Sequence, residues 1–344
     1  MLTPEEVELL REELATAKNP LFIYDDDPDG LCSFLLLYRM HREGHGTMVK
    51  TAPKVDVSFL RRVEERQPDK IFILDMPMVD QEFLDGVHVP VFWIDHHEPQ
   101  QRNKVKYFNP HIKHPNEYTP TTRMAYQISD NKEDLWLATV GTLSDWSMPD
   151  FIEEFIARYP HLLAKKIDLT DAVFQQPISN LIRLFSFILK GPTSDVNKFI
   201  KVLSRIKTPD EILNQTTSQG KFLFKHYEKV NEYYKKLLEL GKKKAGKSKL
   251  LLFYYQEQKW SFTSDIANEL SSLYPKKIIL IARNKSGEMK CSLRARVPIS
   301  GTLEKALVGI NGYGGGHPEA CGAVIKEEDW PQFLNNFKRE IKGI

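Results

Sequence analysis

The chain has 344 residues, of which 41% are hydrophobic and 27% are charged, and its formal net charge is only +2. This length suits two domains with separate cores, and the composition is ordinary for a soluble globular protein. The apolar runs are too short to span a bilayer, and the acidic first residues do not resemble a secretory signal. The small net charge does not by itself indicate a polyanionic partner.

Alternating apolar and helical patterns predict a sheet with helices in the first 150 residues. Continuous apolar runs are typical of parallel strands that are covered on both faces. The predicted strands cover residues 21–24, 48–52, 71–74 and 91–94, and the predicted helices between them cover 31–43 and 56–67. This order predicts a doubly wound, mainly parallel α/β domain.

The segment from residue 121 to 245 has helical patterning throughout. Its predicted helices cover residues 135–146, 150–164, 178–190, 195–205 and 220–241. A basic stretch over 242–249 then interrupts the helical pattern and is predicted to be a linker. Its lysines are interpreted as a solvated helix face and linker rather than as a binding site.

A second strand and helix pattern follows the linker. Strands are expected at residues 250–255 and 277–282, an amphipathic helix at 264–273, and a hairpin partner strand at 289–295. The chain is therefore expected to divide into a catalytic domain (1–205), a helical connector with linker (206–248) and a smaller α/β domain (249–344).

Three cysteines, Cys32, Cys291 and Cys321, are far apart in the chain. Their spacing fits neither a zinc site nor a disulfide framework. A reducing, cytoplasmic setting is the expectation.

Potential metal ligands follow apolar runs at four places in the chain. These ligands are Asp25, Asp27 and Asp29 in the first cluster, then Asp75, then Asp95, His96 and His97, and finally Asp145. The carboxyl ends of parallel strands share one edge of a sheet, so the ligands that follow the first three runs should converge there.

The first cluster places three carboxylates on one side of an extended backbone, with Asp26 opposite. Their mutual repulsion is severe at neutral pH unless cations lie between them. A helix N-cap would explain one or two of these aspartates but not all of the acidic positions. Taken alone, Asp75 is an ordinary residue at a strand end, and Asp145 is a cap or a salt-bridge partner.

Aspartate and histidine ligands without thiolates favour Mn²⁺ or Mg²⁺, and the imidazole favours Mn²⁺. Two such ions, about 3.5–4 Å apart, can polarise a phosphoryl oxygen, activate water and stabilise the leaving oxygen. The sequence therefore predicts a two-metal phosphoesterase.

The same residues resemble the DHH phosphoesterase superfamily. The run Asp25-x-Asp27-x-Asp29-Gly30-Leu31-x-Ser33 is similar to its first motif in the RecJ-type form, which has aspartate in place of a histidine. Asp75, Asp95-His96-His97 and residues 141–145 match the second, third and fourth motifs. The resemblance covers nearly the whole chain.

The resemblance implies a role for each residue. Asp25, Asp27 and a shared Asp75 would hold one metal ion. The second ion would be held by Asp29, Asp75, His96 and Asp145. His97 would face the scissile phosphate, and Asp95 would orient the histidines.

The C-terminal part resembles the DHH-associated domain, which binds substrate. Its glycine-rich signature, interpreted as a turn, lies at residues 312–322 and contains Gly315, Gly316 and His317, and a second signature contains Ser292 and Arg294. Glycines allow backbone N–H groups to approach a phosphate, and an arginine can hold it with two hydrogen bonds. The resemblance places the active site in a cleft between the two domains.

Within the superfamily, the aspartate form of the first motif and the extended helical region look most like archaeal RecJ-like exonucleases. This implies hydrolysis of single-stranded DNA or RNA to mononucleotides, in DNA replication or repair or in RNA processing. NanoRNase or cyclic-dinucleotide phosphodiesterase activity is one alternative. The other is an interaction subunit bound to a replisome or helicase protein. Self-association stays open, and no membrane partner is expected.

Overall fold

The computed structural model describes residues 1–50, 54–115, 117–256 and 259–343. The chain forms two compact units, Met1–Lys225 and His226–Ile344. Among the described residues, none of the helices combines the length and the apolar character needed to cross a bilayer.

The first unit is built on a five-stranded sheet in the order β2-β1-β3-β4-β5, with every neighbouring pair parallel. Its strands are β1 (Leu21–Asp25), β2 (His45–Val49), β3 (Ile71–Leu74), β4 (Val91–Ile94) and β5 (Lys106–Phe108). All residues of β3 and β4 are buried, which explains their continuous apolar sequences.

The order of the strands reverses beside β1. The chain runs from β1 to β2 on one side and then returns to β3 on the other. Such a switch point opens a crevice at the carboxyl ends of the two central strands. Asp25 is the last residue of β1, and Asp75 directly follows β3.

Helices cover the sheet and fill the rest of the first unit. They are α1 (Pro4–Ala15), α2 (Pro28–His41), α3 (Leu60–Arg66), α4 (Gln81–Gly86), α5 (Thr121–Ser129), α6 (Leu135–Ser144), α7 (Ile152–Arg158), α8 (Leu169–Phe174), α9 (Ser179–Ile188), α10 (Thr193–Leu203) and α11 (Pro209–Leu213). The following helix, α12 (Ser218–Lys242), contains the boundary between the two units.

Helix α2 packs closely against the end of β1. The side chain of Asp27 caps the helix by accepting a hydrogen bond from the Gly30 N–H at 2.9 Å. A Cβ atom at Gly30 would lie 2.7 Å from the carbonyl oxygen of Asp25, so only glycine fits there. This contact fixes the first acidic cluster against the sheet.

The second unit has a mixed sheet in the order β6-β7-β8-β10-β9. Its strands are β6 (Leu250–Gln256), β7 (Ile278–Lys285), β8 (Glu288–Arg294), β9 (Gly312–His317) and β10 (Ala320–Lys326). The β6–β7 pair is parallel and the other pairs are antiparallel. The helices are α13 (Thr263–Leu273), α14 (Ser300–Ala306) and α15 (Trp330–Glu340).

The predicted fold class is confirmed: a mainly parallel α/β unit is followed by helices and a smaller α/β unit. The expected domain boundaries and the cleft between the domains stay predictions. Three local predictions differ from the structure. The strand predicted at 48–52 is β2, which begins three residues earlier, and Thr51 and Ala52 lie outside the described residues.

The other two differences have backbone causes. The helix predicted over 150–164 ends at Arg158, since Tyr159 precedes Pro160 and a residue before proline disfavours the helical conformation. The glycine-rich segment, predicted as a turn, forms the edge strand β9 and a hairpin with β10. Backbone pairing with β10 holds this glycine-rich strand despite its low intrinsic strand propensity.

Candidate metal centre

The structure brings all six predicted metal ligands together at the carboxyl edge of the first sheet. Their donor atoms form three overlapping groups, each with its atoms within 4.8 Å of one another. The groups are Asp25 with Asp27 and Asp75, Asp29 with His96 and Asp145, and Asp75 with His96 and His97. The first two groups share no residue, and the third contains a member of each.

Asp29 is held by the start of α5. It is buried in the first turn of α2, and its two carboxylate oxygens accept hydrogen bonds from the backbone N–H groups of Thr121 and Thr122, at 2.9 and 2.8 Å. The Thr122 hydroxyl also donates to the Asp29 carbonyl oxygen. These contacts fix the side chain at the base of the crevice.

Asp75 lies in the middle of the cluster. It is almost fully buried, and it accepts a hydrogen bond from the Thr121 hydroxyl at 3.1 Å. Its φ angle is 59°, in the left-handed region that residues other than glycine adopt at a cost in energy. Strain of this kind concentrates at functional sites, where the surrounding structure imposes it.

His96 lies between Asp75 and Asp145. Its Nε2 is 3.6 Å from Oδ1 of Asp75, and its Nδ1 is 3.3 Å from Oδ2 of Asp145. Asp145 caps the C-terminal end of α6. One imidazole thus has a carboxylate beside each ring nitrogen.

Asp95 makes hydrogen bonds with His97 rather than with the acidic cluster. Its Oδ1 is 2.7 Å from Nδ1 of His97, and its Oδ2 accepts the His97 backbone N–H at 3.1 Å. Tyr107 and Asn109 also donate to Oδ2, at 3.2 and 3.4 Å. The carboxylate is fully buried, and these contacts satisfy both of its oxygens.

Burial and mutual repulsion raise the pKa of the clustered carboxyls. Burial, then the charge of Asp27, raises the pKa of Asp25 to about 8 and that of Asp29 to about 6. The pKa of Asp75 and that of Asp145 are held well above their ordinary value by burial and then by the charge of Asp29. The negative charge of the ionised carboxylates is therefore not balanced by the surrounding protein groups.

The residues fit a pair of divalent cations. Five carboxylates and an imidazole, with no thiolate, form a donor set suited to Mn²⁺ or Mg²⁺. Cations between the carboxylates would remove the repulsion that raises the pKa values of Asp25, Asp75 and Asp145.

His97 carries a shifted pKa for a different reason. Burial lowers the pKa, but the hydrogen bond to Asp95 and the negative charges nearby outweigh burial, so the pKa is raised overall. His97 therefore tends to keep a proton that it could donate.

Sequence reasoning missed several residues that support the ligands. Tyr118 donates its hydroxyl to Oδ2 of Asp145 at 2.6 Å, and its ring centroid is 5.2 Å from that of His96. Thr121 and Thr122 contact Asp29 and Asp75 as described above. Tyr118 lies in an irregular segment, and the two threonines are the first residues of α5, so none of them gives a periodic signal in the sequence. The contacts depend on how α5 packs.

The predicted substrate-binding residues form an ordered patch in the second unit. Ser292 and Gly315 both pair with Gly322 of β10, and Arg294 and His317 both pair with Ala320. These two cross-strand rows are two residues apart, so their side chains lie on the same face of the sheet. Gly316 lies between these two rows, at a position that faces the opposite side of the sheet.

Arg294 is more occupied by protein contacts than the sequence suggested. Its Nε donates to Oδ1 of Asn268 at 2.6 Å, and its Nη1 donates to the carbonyl oxygens of Leu293 and Cys321. Among the described residues Nη2 makes no hydrogen bond, so this nitrogen is the donor that a phosphate could use. The two-bond phosphate contact expected from the sequence stays a prediction.

Two family models match the chain. The model described as the DHH family, N-terminal domain, matches residues 21–143, and the one described as the DHHA1 domain matches residues 249–343. Together they cover well over half of the sequence. No curated protein sequence gives a significant match.

Solved structures share the fold at low sequence identity. RecJ from Thermus thermophilus, solved with Mn²⁺, is 18% identical with a TM-score of 0.74. The match covers 100% of this chain but only 56% of that one. A second structure, exonuclease RecJ bound to manganese, is 17% identical with a TM-score of 0.65, over 96% of this chain and 92% of that one.

CDC45 from Entamoeba histolytica is more distant, with 12% identity and a TM-score of 0.50, over 98% of this chain and 99% of that chain. At these identities the likeness shows the fold alone.

Proposed function

Because this chain belongs to the DHH family of metal-dependent phosphoesterases, we propose that it is an exonuclease that degrades single-stranded DNA or RNA to mononucleotides. The observation that carries the proposal is the convergence of six metal ligands at one sheet edge. The fold shared with exonuclease RecJ supports the choice of a nucleic acid as substrate.

Two cations complete the candidate centre. Asp25, Asp27 and Asp75 would hold one ion, and Asp29, Asp75, His96 and Asp145 the other. When bound, such ions polarise a phosphoryl oxygen and lower the pKa of water. The buried hydrogen bonds to Asp29 and Asp75 hold two ligands in place, so little reorganisation is needed when metal binds.

His97 is proposed to contact the scissile phosphate. It lies next to His96 in the ligand cluster, and its hydrogen bond to Asp95 holds the ring in place. Its Nδ1 faces Asp95, so Nε2 is the nitrogen that would donate to a phosphate oxygen. That contact would strengthen as negative charge builds up on the phosphate in the transition state.

The patch of Ser292, Arg294, Gly315 and His317 in the second unit is proposed to bind a phosphate of the nucleic acid. Gly315 has no atom within 4 Å of the position of a Cβ, so the backbone is open to a ligand there. His317 is exposed on the edge strand. A flexible single strand adapts to such a site more readily than a duplex.

The test uses end-labelled DNA and RNA oligonucleotides of graded length, digested with Mn²⁺ or Mg²⁺. Cyclic di-AMP and pyrophosphate serve as control substrates. Release of mononucleotides from one labelled end is the expected result. Turnover of the cyclic dinucleotide alone, or of pyrophosphate alone, would contradict the proposal and assign a different branch of the family.

An Asp145→Ala variant distinguishes catalysis from a role as an interaction subunit. It removes a carboxylate from the second group of ligands, so cleavage should be lost. If cleavage is unaltered, the proposed pair of metal sites is wrong. If cleavage is lost but binding of a protein partner is retained, the two roles are separate.

A further inference from the structure

A positively charged groove runs along the outer edge of β2, at the side of the first unit. Its open volume is about 440 Å³. The cationic side chains that line it are Lys50, which follows β2, and Arg61, Arg62 and Arg66. None of the described residues that line it is an aspartate or a glutamate.

The charge of the groove is only partly neutralised by its surroundings. Glu65 pairs with both Arg61 and Arg62, at 2.9 and 2.7 Å, so one carboxylate serves two guanidinium groups. The side chains of Arg61 and Arg62 are 83% and 53% exposed and can turn towards a ligand. Exposed pairs of this kind are weak, so an anion can compete with Glu65.

The start of α10 adds partial positive charge to the opposite side of the groove. Thr193, the first residue of this 11-residue helix, lines the groove. Pro192 occupies the N-cap position, and no side chain in the described part of the chain accepts a hydrogen bond there. The contribution of this helix end is small, because Asp195 in its first turn offsets part of the dipole; the arginine charges by themselves define the site.

The groove begins near the candidate metal centre. Val49 of β2 pairs with Asp25 of β1, and Lys50 is the next residue, so one end of the groove lies at the carboxyl edge of the sheet. From Lys50 back to Gly46 the edge extends about 13 Å, at roughly 3.3 Å per strand residue. A chain leaving the metal centre past β2 would meet these cations.

We propose that this groove is a second binding site for the phosphate backbone of single-stranded nucleic acid, which holds the strand beside the reaction centre. The inference rests on the proposed exonuclease function and adds the path of the strand on the first unit. Arginine forks match phosphate oxygens, and the Lys50 ammonium, which donates one hydrogen bond to the Gly191 carbonyl oxygen, adds a further positive charge. An acidic peptide is the competing ligand. The position of the groove beside the candidate metal centre favours a nucleic acid, because a phosphodiester substrate of that centre would extend into the groove.

The test compares the full chain with an Arg61→Gln/Arg62→Gln/Arg66→Gln variant. The matched control is Lys132→Gln/Lys165→Gln/Lys166→Gln, which removes three exposed cations of the same unit outside the groove. Binding of a labelled 12-nucleotide single strand is measured by fluorescence anisotropy in EDTA, over a range of salt concentrations. Cleavage of a dinucleotide with Mn²⁺ is measured separately, together with the melting temperature of each variant.

The groove variant should bind the 12-mer about tenfold more weakly. The slope of log affinity against log salt concentration should fall in magnitude by about two, because three arginines are removed and each phosphate contact to a single strand contributes about 0.7. The control variant should bind like the wild type, and the dinucleotide should be cleaved at the same rate by all three proteins. Equal 12-mer affinity and salt slope in the groove variant and the wild type would overturn the proposal. So would a 12-residue oligoglutamate that binds as tightly, with the same dependence on the arginines.

The two proposals fail in different ways. If no oligonucleotide is cleaved but binding depends on the three arginines, the exonuclease function fails and the groove stands. If oligonucleotides are cleaved and bound without those arginines, the groove fails and the exonuclease function stands.

Discussion

Oδ1 of Asp95 lies 2.7 Å from Nδ1 of His97, and the other oxygen of the same carboxylate accepts the backbone N–H of His97. One buried carboxylate therefore sets both the ring orientation and the proton position of this histidine. The two neighbouring histidines have different surroundings, because His96 lies between Asp75 and Asp145.

Replacing Asp95 with asparagine should lower the pKa of His97, since a hydrogen bond to a charged acceptor and its Coulomb attraction are both lost. Activity should fall by about 10- to 100-fold, as is usual for outer partners of a metal site. The pKa is measured by NMR titration of the His97 ring, and activity by oligonucleotide cleavage. An unchanged His97 titration would show that Asp95 does not control this ring.

The metal-free protein should lose stability as the pH rises from about 4 to 8. The folded chain keeps protons on Asp25 and Asp29, whose pKa values are raised from 3.8 to about 8 and about 6. At those pH values the unfolded chain has released them, so unfolding releases protons and the free energy of unfolding falls with pH.

Bound divalent ions should reduce or reverse that trend, because the ionised carboxylates then become ligands. The measurement is thermal unfolding at several pH values, with EDTA and with Mn²⁺. A metal-free protein that is as stable at pH 8 as at pH 5 would contradict the assignment of these pKa shifts.

An Asp75→Asn variant should bind metal at least about 100-fold more weakly, since it removes a buried carboxylate from two of the three donor groups. The metal-free variant should nevertheless be more stable than the metal-free wild type at pH 8, because a repelled charge is gone. Calorimetric titration with Mn²⁺ and thermal unfolding measure the two effects. Asp85→Asn, at an exposed position of α4 paired with Lys104, is the matched control and should change neither.

Replacing Tyr118 with phenylalanine should weaken Mn²⁺ binding by about 10-fold, because Asp145 then loses the hydroxyl that orients it. The ring packing against His96 would be kept, so the melting temperature of the metal-free protein should change little. Wild-type affinity for Mn²⁺ in this variant would show that Tyr118 only packs against the histidine.

A Gly316→Ala variant should disturb the β9–β10 hairpin. Gly316 has a φ angle of +135°, and a Cβ would lie 2.6 Å from the carbonyl oxygen of Ala320. Binding of a single-stranded oligonucleotide should weaken, while Mn²⁺ affinity of the first unit stays unchanged. Gly301→Ala, at an exposed position of α14 with open space around it, is the matched control and should leave oligonucleotide binding unchanged.

The sequence predicted the parallel sheet well because buried strands such as β3 and β4 consist only of apolar residues. It also singled out the candidate ligands that the structure brings together, since each follows a run with a clear pattern; their binding of metal stays a prediction. It did not predict Tyr118 or the two threonines, whose roles depend on the position of α5. The arginine groove was missed as well, because Arg61 and Arg62 have the charge pattern of any solvated helix.

The ligands of the candidate centre are separated by up to 120 residues in the chain, from Asp25 to Asp145. The centre therefore cannot be completed until α6 has been synthesised and packed, after all strands of the parallel sheet. Contacts of such sequence separation form slowly. During synthesis, a nascent chain that ends before Asp145 has an incomplete set of ligands, and the carboxylates already present repel one another. Divalent ion supply should consequently affect the yield of folded protein as well as its activity.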